Sequence, residues 1–582
     1  MRAARASFGT NSDAFQPVQP REWLVLGAIA AASSVWCIAA ARSIGPVFDE
    51  MIYLRVGLDF WRTGSHRELL RLGTMPLPID LQMLPVYLMQ RVDGSFFDPT
   101  NQLARFLPWA RAMTLIFWFI LLFYSWRIAR SLAGPWSGLL AAALVASQPV
   151  LLGHAGLATT DIALTACLVA LTYRFYIARD CSWLLRVGVP STWFAAAVLS
   201  KVSAIFFGPL CLFAIESERL FGSGSTASAT AAANRSISFA ALKQALAPLR
   251  HDLKQILAIG SALVFVYCGC DWKPEPSFVA WAQRLPAGSF GGRTMLWIAE
   301  HLRIFSNAGE AIVRQVRHNI RGVGPDCTYL MGRLGRAFWY YYPVALSIKL
   351  SLGLLILLVT ILLVSPRAMR NWPTAAAIPL FIISLLSRLQ IGLRLMFPLV
   401  AFLIIGTAVA ATNAASATSR HRRVANLIRA EAIAAIVWAA VAAFAVWPNG
   451  ICYTNEAWGG TPMGYLYLSD SNYDWGQGLP ELSRWIRRNG AGEINVWYFG
   501  LDPAISSPPF IQQRIDAAGV HIPVASLQGR YLAVGTTMLY GRIYSHSSSQ
   551  SVVGEFLRRC RSSSRTTTFL IYDFRHGTGG CE

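Results

Sequence analysis

The sequence predicts a polytopic, all-α membrane protein of about eleven membrane-crossing helices, with a small α/β or α+β domain at its carboxyl end. Three observations lead there. Of 582 residues, 54% are hydrophobic and only 14% charged, whereas soluble domains carry about 25% charge. The apolar residues come in runs with few or no charges, near the length a bilayer requires, separated by short clusters of Lys and Arg. Beyond residue 448 those runs stop, and polar and apolar residues alternate between turn formers. The formal net charge of +21 sits mainly in the short clusters. That pattern orients a membrane protein and meets anionic headgroups, so membrane lipids and not nucleic acid are the expected partners of the charge.

Taken in order, residues 1–22 have no apolar core next to Met1 and read as a cytoplasmic tail. The run 23–41 lacks a small-residue cleavage site, so it reads as a retained first span. The excursion 42–106 follows, with Pro76, Pro78 and Pro85; within it 81–89 has a helical apolar spacing that suits a membrane interface. The next spans are 109–126, closed by Arg127 and Arg130, then 136–152 and 157–173, the last followed by Arg174, Arg179 and Arg186. Run 184–215 is too long for one span, and Ser200-Lys201 divides it. Counting it as a hairpin keeps Arg219, Arg235, Lys243, Arg250 and Lys254 inside, as the positive-inside bias asks. Segment 217–235 reads as a low-complexity linker. The remaining spans are 256–270, 338–364 ending at Arg367 and Arg370, 375–386, 395–412 ending at Arg420, Arg422 and Arg423, and 433–446. This makes 23–447 the transmembrane domain. The excursions 42–106 and 271–337 and the domain 448–582 fall on the extracytoplasmic side. The terminal domain carries strand-like runs such as INVWYF and YLAVG. There is no internal repeat of fixed period. Ten cysteines without CxxC spacing give no metal framework, and Cys327, Cys452, Cys560 and Cys581 are too scattered for the sequence to tell their pairing.

Against this background the polar residues at the span ends stand out. Asp49-Glu50 follows the first span, and Asp161, Lys201 and Arg394 fall on what the topology makes the same side. Ionised groups are costly inside the apolar layer and ordinary at its edge. Any one of these reads equally well as a solvated loop charge. Together, two or more carboxylates facing two cations at one membrane surface suit chemistry on an anionic, lipid-linked substrate.

The motifs FDEMIY after the first span, LATTDIAL at 157–164, LSKVSA at 199–204, YLMGRLGRAFWYYYPVALSIKLSLG at 329–353, GLRLMFP at 392–398 and YLSDSNYDWGQGL at 467–479 occur in one order. Over about 20–480 the chain resembles the polytopic GT-C glycosyltransferases, the group of protein O-mannosyltransferases and of enzymes that transfer aminoarabinose to lipid A. The resemblance implies a polyprenyl-phosphate sugar donor and transfer with inversion on the extracytoplasmic face of a bacterial plasma membrane. The acceptor would be a protein hydroxyl, a lipid A-like glycolipid or a cell-envelope glycan. By resemblance Asp49 is the general base, Glu50 shapes the site, and Asp161 is a second carboxylate and a candidate to hold a divalent metal ion. His154, just before the TTD turn, reads as a ligand for metal or acceptor or as an ordinary loop histidine. Beyond 480 the likeness thins to YFG at 498–500 and GRYLAVG at 529–535.

The residues themselves add detail. Transfer from a lipid phosphate needs a base near the acceptor hydroxyl and cations over the departing phosphate. Arg394 offers a fork matched to phosphate. Lys201 is a second phosphate candidate, or a lysine snorkelling from a helix end. Lys349, about two turns inside the span that begins near 338, needs a partner, and the lipid phosphate is one. Tyr329 and Tyr340 to Tyr342 suit interfacial anchoring, with Tyr329 also a candidate substrate contact. Asp470, Asn472, Asp474, Trp475 and Gln477 form a polar and aromatic cluster fit to bind a sugar or the acceptor. They equally suit an Asx-rich turn that fixes the tail onto the membrane part, as does Asn455-Glu456. The rival class is a transporter or flippase of lipid-linked saccharides, whose marks are a repeat and helices broken at the midplane. The lack of a repeat and the gathering of polar residues at one face favour an enzyme.

Overall fold

The computed structural model describes residues 17–94, 99–221, 239–269, 272–303, 307–322, 328–418, 421–513, 528–541 and 552–577. Most of the linker predicted at 217–235, and Cys270, Cys327 and Cys581, lie outside these. The chain is an integral, multi-pass membrane protein, largely helical, with a small β-sheet in its carboxyl-terminal region.

Two helices form the centre. Asp161–Ile177 is buried on nearly every side, and Phe397–Ala417 is buried almost as completely. Both sequences are apolar all round, as a helix without a solvent face must be. Around them lie Pro20–Ser43, Pro99–Ala133, Val189–Ser200, Ala204–Phe221, Trp372–Leu386 and Arg422–Ala445. The first and last of these ring helices leave most of their apolar windows unburied, as lipid-facing helices do. One buried ion pair joins the ring early: Arg130 donates to Glu22 at 2.7 Å.

The expected eleven spans are not what the described residues contain. Four helices are long and apolar enough to cross a membrane, or six if each of two bent pairs counts as one span. Much of the difference is length: the expected crossings at 184–200 and 375–386 are apolar helices too short to qualify. The expected 136–152 is Pro135–Ser147 and Pro149–Ala155, bent by 69°, with Pro149 ending the first hydrogen-bond ladder. The bend lets Gly153 press on the segment after the last helix, where a Cβ would lie 2.6 Å from the Gly450 carbonyl carbon. The expected 338–364 is Tyr341–Lys349 and Leu352–Val364, bent by 111°.

That second break has its freed backbone groups satisfied by side chains, as an interrupted membrane helix requires. Ser351 N–H donates to Gln148 Oε1 at 3.2 Å, and Gln148 Nε2 donates to Ser351 Oγ at 3.0 Å. Asn455 Nδ2 donates to the carbonyls of Ser347 and Leu350 at 2.6 and 2.9 Å. The Ser200-Lys201 division is also present, since the helix ends at Ser200 and Lys201 is extended.

The excursions are built structures. Phe48–Thr63 and Leu77–Asp93 pack together, the latter burying Ile79, Met83 and Val86, so the piece expected at the interface packs into the protein. Asp80 Oδ2 lies 2.8 Å from His66 Nε2 and accepts from the Tyr267 hydroxyl at 2.8 Å, docking this excursion on the end of Phe239–Cys268. The helix Ala308–Arg321 reaches it too: Arg314 donates to the Arg71 carbonyl at 2.6 Å and Gln315 to that of Gly73 at 2.8 Å. Backbone bonds tie the tail to the same group, Gly45 N–H to the Gln477 carbonyl and Phe48 N–H to that of Trp475, both 2.9 Å. All three excursions therefore share one face.

The carboxyl-terminal sheet uses β3 (Ile494–Trp497), β4 (Phe510–Gln512), β5 (Tyr531–Gly535), β6 (Ser564–Arg565) and β7 (Phe569–Asp573), after a separate hairpin of β1 (Thr328–Leu330) and β2 (Arg333–Gly335). The order is β4-β3-β5-β7-β6, with β3 parallel to β4 and β5 and β7 antiparallel to β5 and β6. Val496, Leu532, Ala533 and Ile571 are fully buried, as expected of central strands covered on both faces.

Candidate active site

Three helix beginnings meet where the central helices approach the shared excursions. Asp49 is in the first turn of Phe48–Thr63, Asp161 opens Asp161–Ile177, and Arg394 lies in the 3₁₀ turn Leu393–Met396 that leads into Phe397–Ala417. Helix N-termini carry positive potential and free N–H groups, so their convergence favours an anion. Arg394 Nη1 donates to Asp49 Oδ2 at 2.9 Å and to Asp161 Oδ2 at 3.3 Å. Lys201 Nζ lies 2.5 Å from Asp161 Oδ1. Four residues from four separated segments thus form one network of two carboxylates and two cations.

Exposure separates their roles. The side chain of Asp161 is fully buried and that of Arg394 is 5% exposed, whereas Asp49 keeps 21% and Lys201 18%. A substrate can reach Asp49 and Lys201 directly. Asp161, with one oxygen on each cation, holds the two in place and offsets their charge.

Arg394 is held from behind. Its guanidinium carbon lies 4.1 Å from the centroid of the Trp475 ring, a cation–π contact. Its Nε donates to Ser471 Oγ at 3.0 Å, and that hydroxyl donates to the Ile391 carbonyl at 2.6 Å. Nη2 has no hydrogen-bond partner among the described residues. Asn472 fixes the same turn, accepting from Leu393 N–H and donating to the Tyr341 hydroxyl, both at 2.9 Å. A Cβ on Gly392 would lie 2.1 Å from Ser471 Oγ. Gly392→Ala should therefore push Ser471 away and let Arg394 turn out of the fork. Activity should fall at least about tenfold, as expected when a positioned charge-bearing hydrogen bond of roughly 1.5–3 kcal/mol is lost, with little change in the melting temperature of the purified protein. Unchanged activity in that variant would show that Ser471 does not position the guanidinium.

Glu50 lies beneath the site with its side chain fully buried. Both its oxygens accept from Arg111, at 2.8 and 2.7 Å, and it also accepts from the N–H groups of Val47 and Ala158 at 2.9 and 2.8 Å. Arg111 in turn donates to the carbonyls of Ala41, Ile44 and Gly45. In the sequence Arg111 is marked only as a lone arginine inside the otherwise uncharged run 109–126. This pair pins the end of the first span to the loop before Asp161.

Other expected site residues stand elsewhere. Lys349 sits at the break of its span and donates to the carbonyls of Ile451, Tyr453 and Asn472. With three donors on three carbonyls it fastens the post-membrane segment to the break. Tyr329 donates to the Leu466 carbonyl at 2.7 Å. Asp474 accepts from Gly476 and Thr537 N–H at 3.2 and 3.1 Å, and Gln477 from Trp475 N–H at 2.8 Å. These bonds form an Asx turn and hold it within the tail, which reaches the membrane part through the carbonyls of Trp475 and Gln477 and the side chain of Asn472. His154 is buried against Phe397 and Trp475, with Nδ1 3.0 Å from the Val150 carbonyl and Nε2 without a partner among the described residues. Among the described residues no three of His, Cys, Asp or Glu are grouped to hold a metal ion.

Asp470 lies at the same corner, in a left-handed backbone conformation (φ 56°) that Asp and Asn tolerate. Burial pushes its carboxyl up to about 7 against the pull of Arg394. A raised carboxyl stabilises the fold least where it must ionise, so stability is fully present below the unfolded pKa near 4 and declines as pH rises through about 7. Relative to the wild type, Asp470→Asn should gain stability progressively between about pH 4 and 7 and hold that gain above. Thermal unfolding across this range tests it, and a difference independent of pH would place the Asp470 charge in solvent.

Comparison with known proteins adds a partial match. Residues 102–234 match the family model described as dolichyl-phosphate-mannose-protein mannosyltransferase; the stretch holds Arg111, His154, Asp161 and Lys201. No curated protein matches the chain. Among solved structures, ArnT from Cupriavidus metallidurans bound to undecaprenyl phosphate aligns over 95% of this chain and 98% of its own, at 13% identity and a TM-score of 0.41. The apo oligosaccharyltransferase of Archaeoglobus fulgidus aligns over 72% of this chain and 55% of its own, at 14% identity and a TM-score of 0.41.

Proposed function

We propose that the protein is a glycosyltransferase that moves a sugar from a polyprenyl-phosphate donor to an acceptor hydroxyl on the extracytoplasmic face, with inversion. The observation that carries the reading is the bridge of Arg394 between Asp49 and Asp161, completed by Lys201. The family match over 102–234 supports the same donor class, since its description names a lipid phosphate sugar and the stretch supplies two of the four network residues. The disulfide-bonded state of Cys560 supports an oxidising location for the tail.

In this reading the donor phosphate displaces the Asp49 carboxylate from Arg394 and lies between Arg394 and Lys201. The freed Asp49 faces the acceptor. As the acceptor oxygen attacks the anomeric carbon, its proton passes to Asp49. The bond from that carbon to the phosphate oxygen breaks, its electron pair leaves with the phosphate, and the two cations take up the charge. A single displacement of this kind inverts the anomeric centre. Asp161 keeps the cations in register throughout. Asp161 and His154 remain the residues proposed to hold a divalent ion, which would add positive charge to the site; Asp161 would hold it in place of one of its present partners, Arg394 or Lys201. The acceptor classes remain a protein hydroxyl, a glycolipid or an envelope glycan.

The two broken spans favour the transporter or flippase reading, in which interrupted helices frame a substrate path. One assay separates the two. Purified protein is given radiolabelled polyprenyl-phosphate sugars with membrane extract, and the labelled product is identified. Label in a new glycoside supports transfer; label that only changes leaflet, still on the polyprenyl phosphate, overturns it.

A further inference from the structure

We propose that the groove between Pro20–Ser43 and Pro99–Ala133 binds one anionic membrane phospholipid, at a place separate from the Asp49–Arg394 network. The cavity measures about 370 Å³, within the range of pockets that hold a specific ligand. Its floor is apolar and made of small or slender residues, Cys37, Ala112, Leu115 and Gly156. Small side chains on two facing helices leave a furrow that neither helix fills. Trp109 in its lining is 55% exposed, and on the same two helices Val35 is 67% exposed and Ile116 41%. On spans this apolar, such a surface faces lipid, so the furrow opens sideways into the bilayer.

One end of the furrow is charged. Arg42, in the last turn of the first span, is exposed and has no ion-pair partner among the described residues. Arg105 lines the same mouth, with one ion pair to Asp93. The inner wall is Arg111, already neutralised by Glu50. The mouth therefore has an excess of positive charge at the level where the span ends and headgroups begin. An apolar furrow with cations at its border matches one ligand chemistry, an acyl chain with a phosphate headgroup. A bulk neutral lipid would satisfy the floor and leave Arg42 unmatched. Gly156, in the floor, lies two residues before Ala158, whose N–H donates to Glu50. The lipid would thus lean on the support of the reaction centre without touching Asp49, Asp161, Lys201 or Arg394.

The test uses the full chain, purified, stripped of lipid and supplied with phosphatidylglycerol or phosphatidylcholine, with bound lipid counted by native mass spectrometry. The expected result is one retained phosphatidylglycerol per chain and no comparable retention of phosphatidylcholine. Ala112→Phe, which fills the floor, should abolish retention. Arg42→Gln, which changes only an exposed side chain and leaves the fold intact, should weaken it about fivefold. Equal retention of both lipids, or retention unchanged in both variants, would overturn the proposal. So would one-for-one displacement of phosphatidylglycerol by polyprenyl phosphate, which would assign the furrow to the donor.

Discussion

Asp49→Asn should slow sugar transfer by about 10²–10⁴-fold while leaving donor binding intact, the loss typical of a positioned general base. An acceptor hydroxyl has a pKa far above neutrality and becomes a good nucleophile only as its proton departs. Asp49 is the network carboxylate with an open side, and Asp161 is closed on both oxygens. The substitution keeps size and one hydrogen bond to Arg394 but removes basicity. It also removes the anion that competes with the donor phosphate for Arg394, so apparent donor affinity should hold or rise as turnover falls. That split distinguishes a base from a group whose charge merely holds the site together. Asp161→Asn should instead damage donor affinity and turnover together, because both cations lose their common partner. Glu50→Gln tests something different. It leaves Arg111 buried without a counter-charge, a change that typically costs about 3–5 kcal/mol, so its effect should appear in folding yield and melting temperature. Purified, folded Asp49→Asn enzyme turning over within about threefold of wild type would end the base assignment and leave the glycosyltransferase reading standing.

The parts of this arrangement that could be read from the chain are those with a local signature. The carboxylate pair after an uncharged run, the lysine that interrupts 184–215 and the Gly-Leu-Arg turn before 395–412 each mark a helix end, and helix ends are where the site is assembled. The strands INVW and YLAVG could likewise be read from alternation and turns. What could not be read depends on partners distant in sequence. The break at Leu350 and Ser351 lies in a long apolar stretch marked there only by Ser347, Lys349 and Ser351, and its stabilisers, Gln148 and Asn455, come from about 200 residues before and 100 after. Lys349 looked like an unpaired cation because its carbonyl partners belong to a segment about a hundred residues on. Arg111 was hidden for the opposite reason, since a single charge in an apolar run does not reveal that a carboxylate 61 residues earlier meets it. The 470–477 cluster was legible as dense and polar. Its division into Ser471 and Trp475, which back Arg394, and others that stitch the tail was not, because both uses call for the same side chains.

Arg394→Lys, the second large effect, keeps the charge and should still lose donor use by about 10²–10³-fold in kcat/KM, the scale for removing one preorganised donor to a charged transition state. The guanidinium does three things at once: Nη1 bridges Asp49 and Asp161, Nε is fixed by Ser471, and the plane stacks on Trp475. An ammonium is a point charge without a plane, so it can satisfy one carboxylate but neither the stack nor the fork. The loss should fall mainly on the KM for the lipid donor, because the phosphate is bound in the ground state as well as stabilised on leaving. Arg394→Ala should be worse, and should also lower thermal stability, since fully buried Asp161 then keeps only Lys201. Trp475→Leu offers an intermediate case: it removes the stacking surface and keeps every hydrogen bond to Arg394, so it should raise donor KM by less than Arg394→Lys with little change in turnover. The measurement is initial rate against donor concentration for the three folded variants. An Arg394→Lys enzyme with wild-type apparent affinity for the polyprenyl-phosphate sugar would show that the fork does not hold the phosphate, and would pass that role to Lys201, the other network cation with an exposed edge.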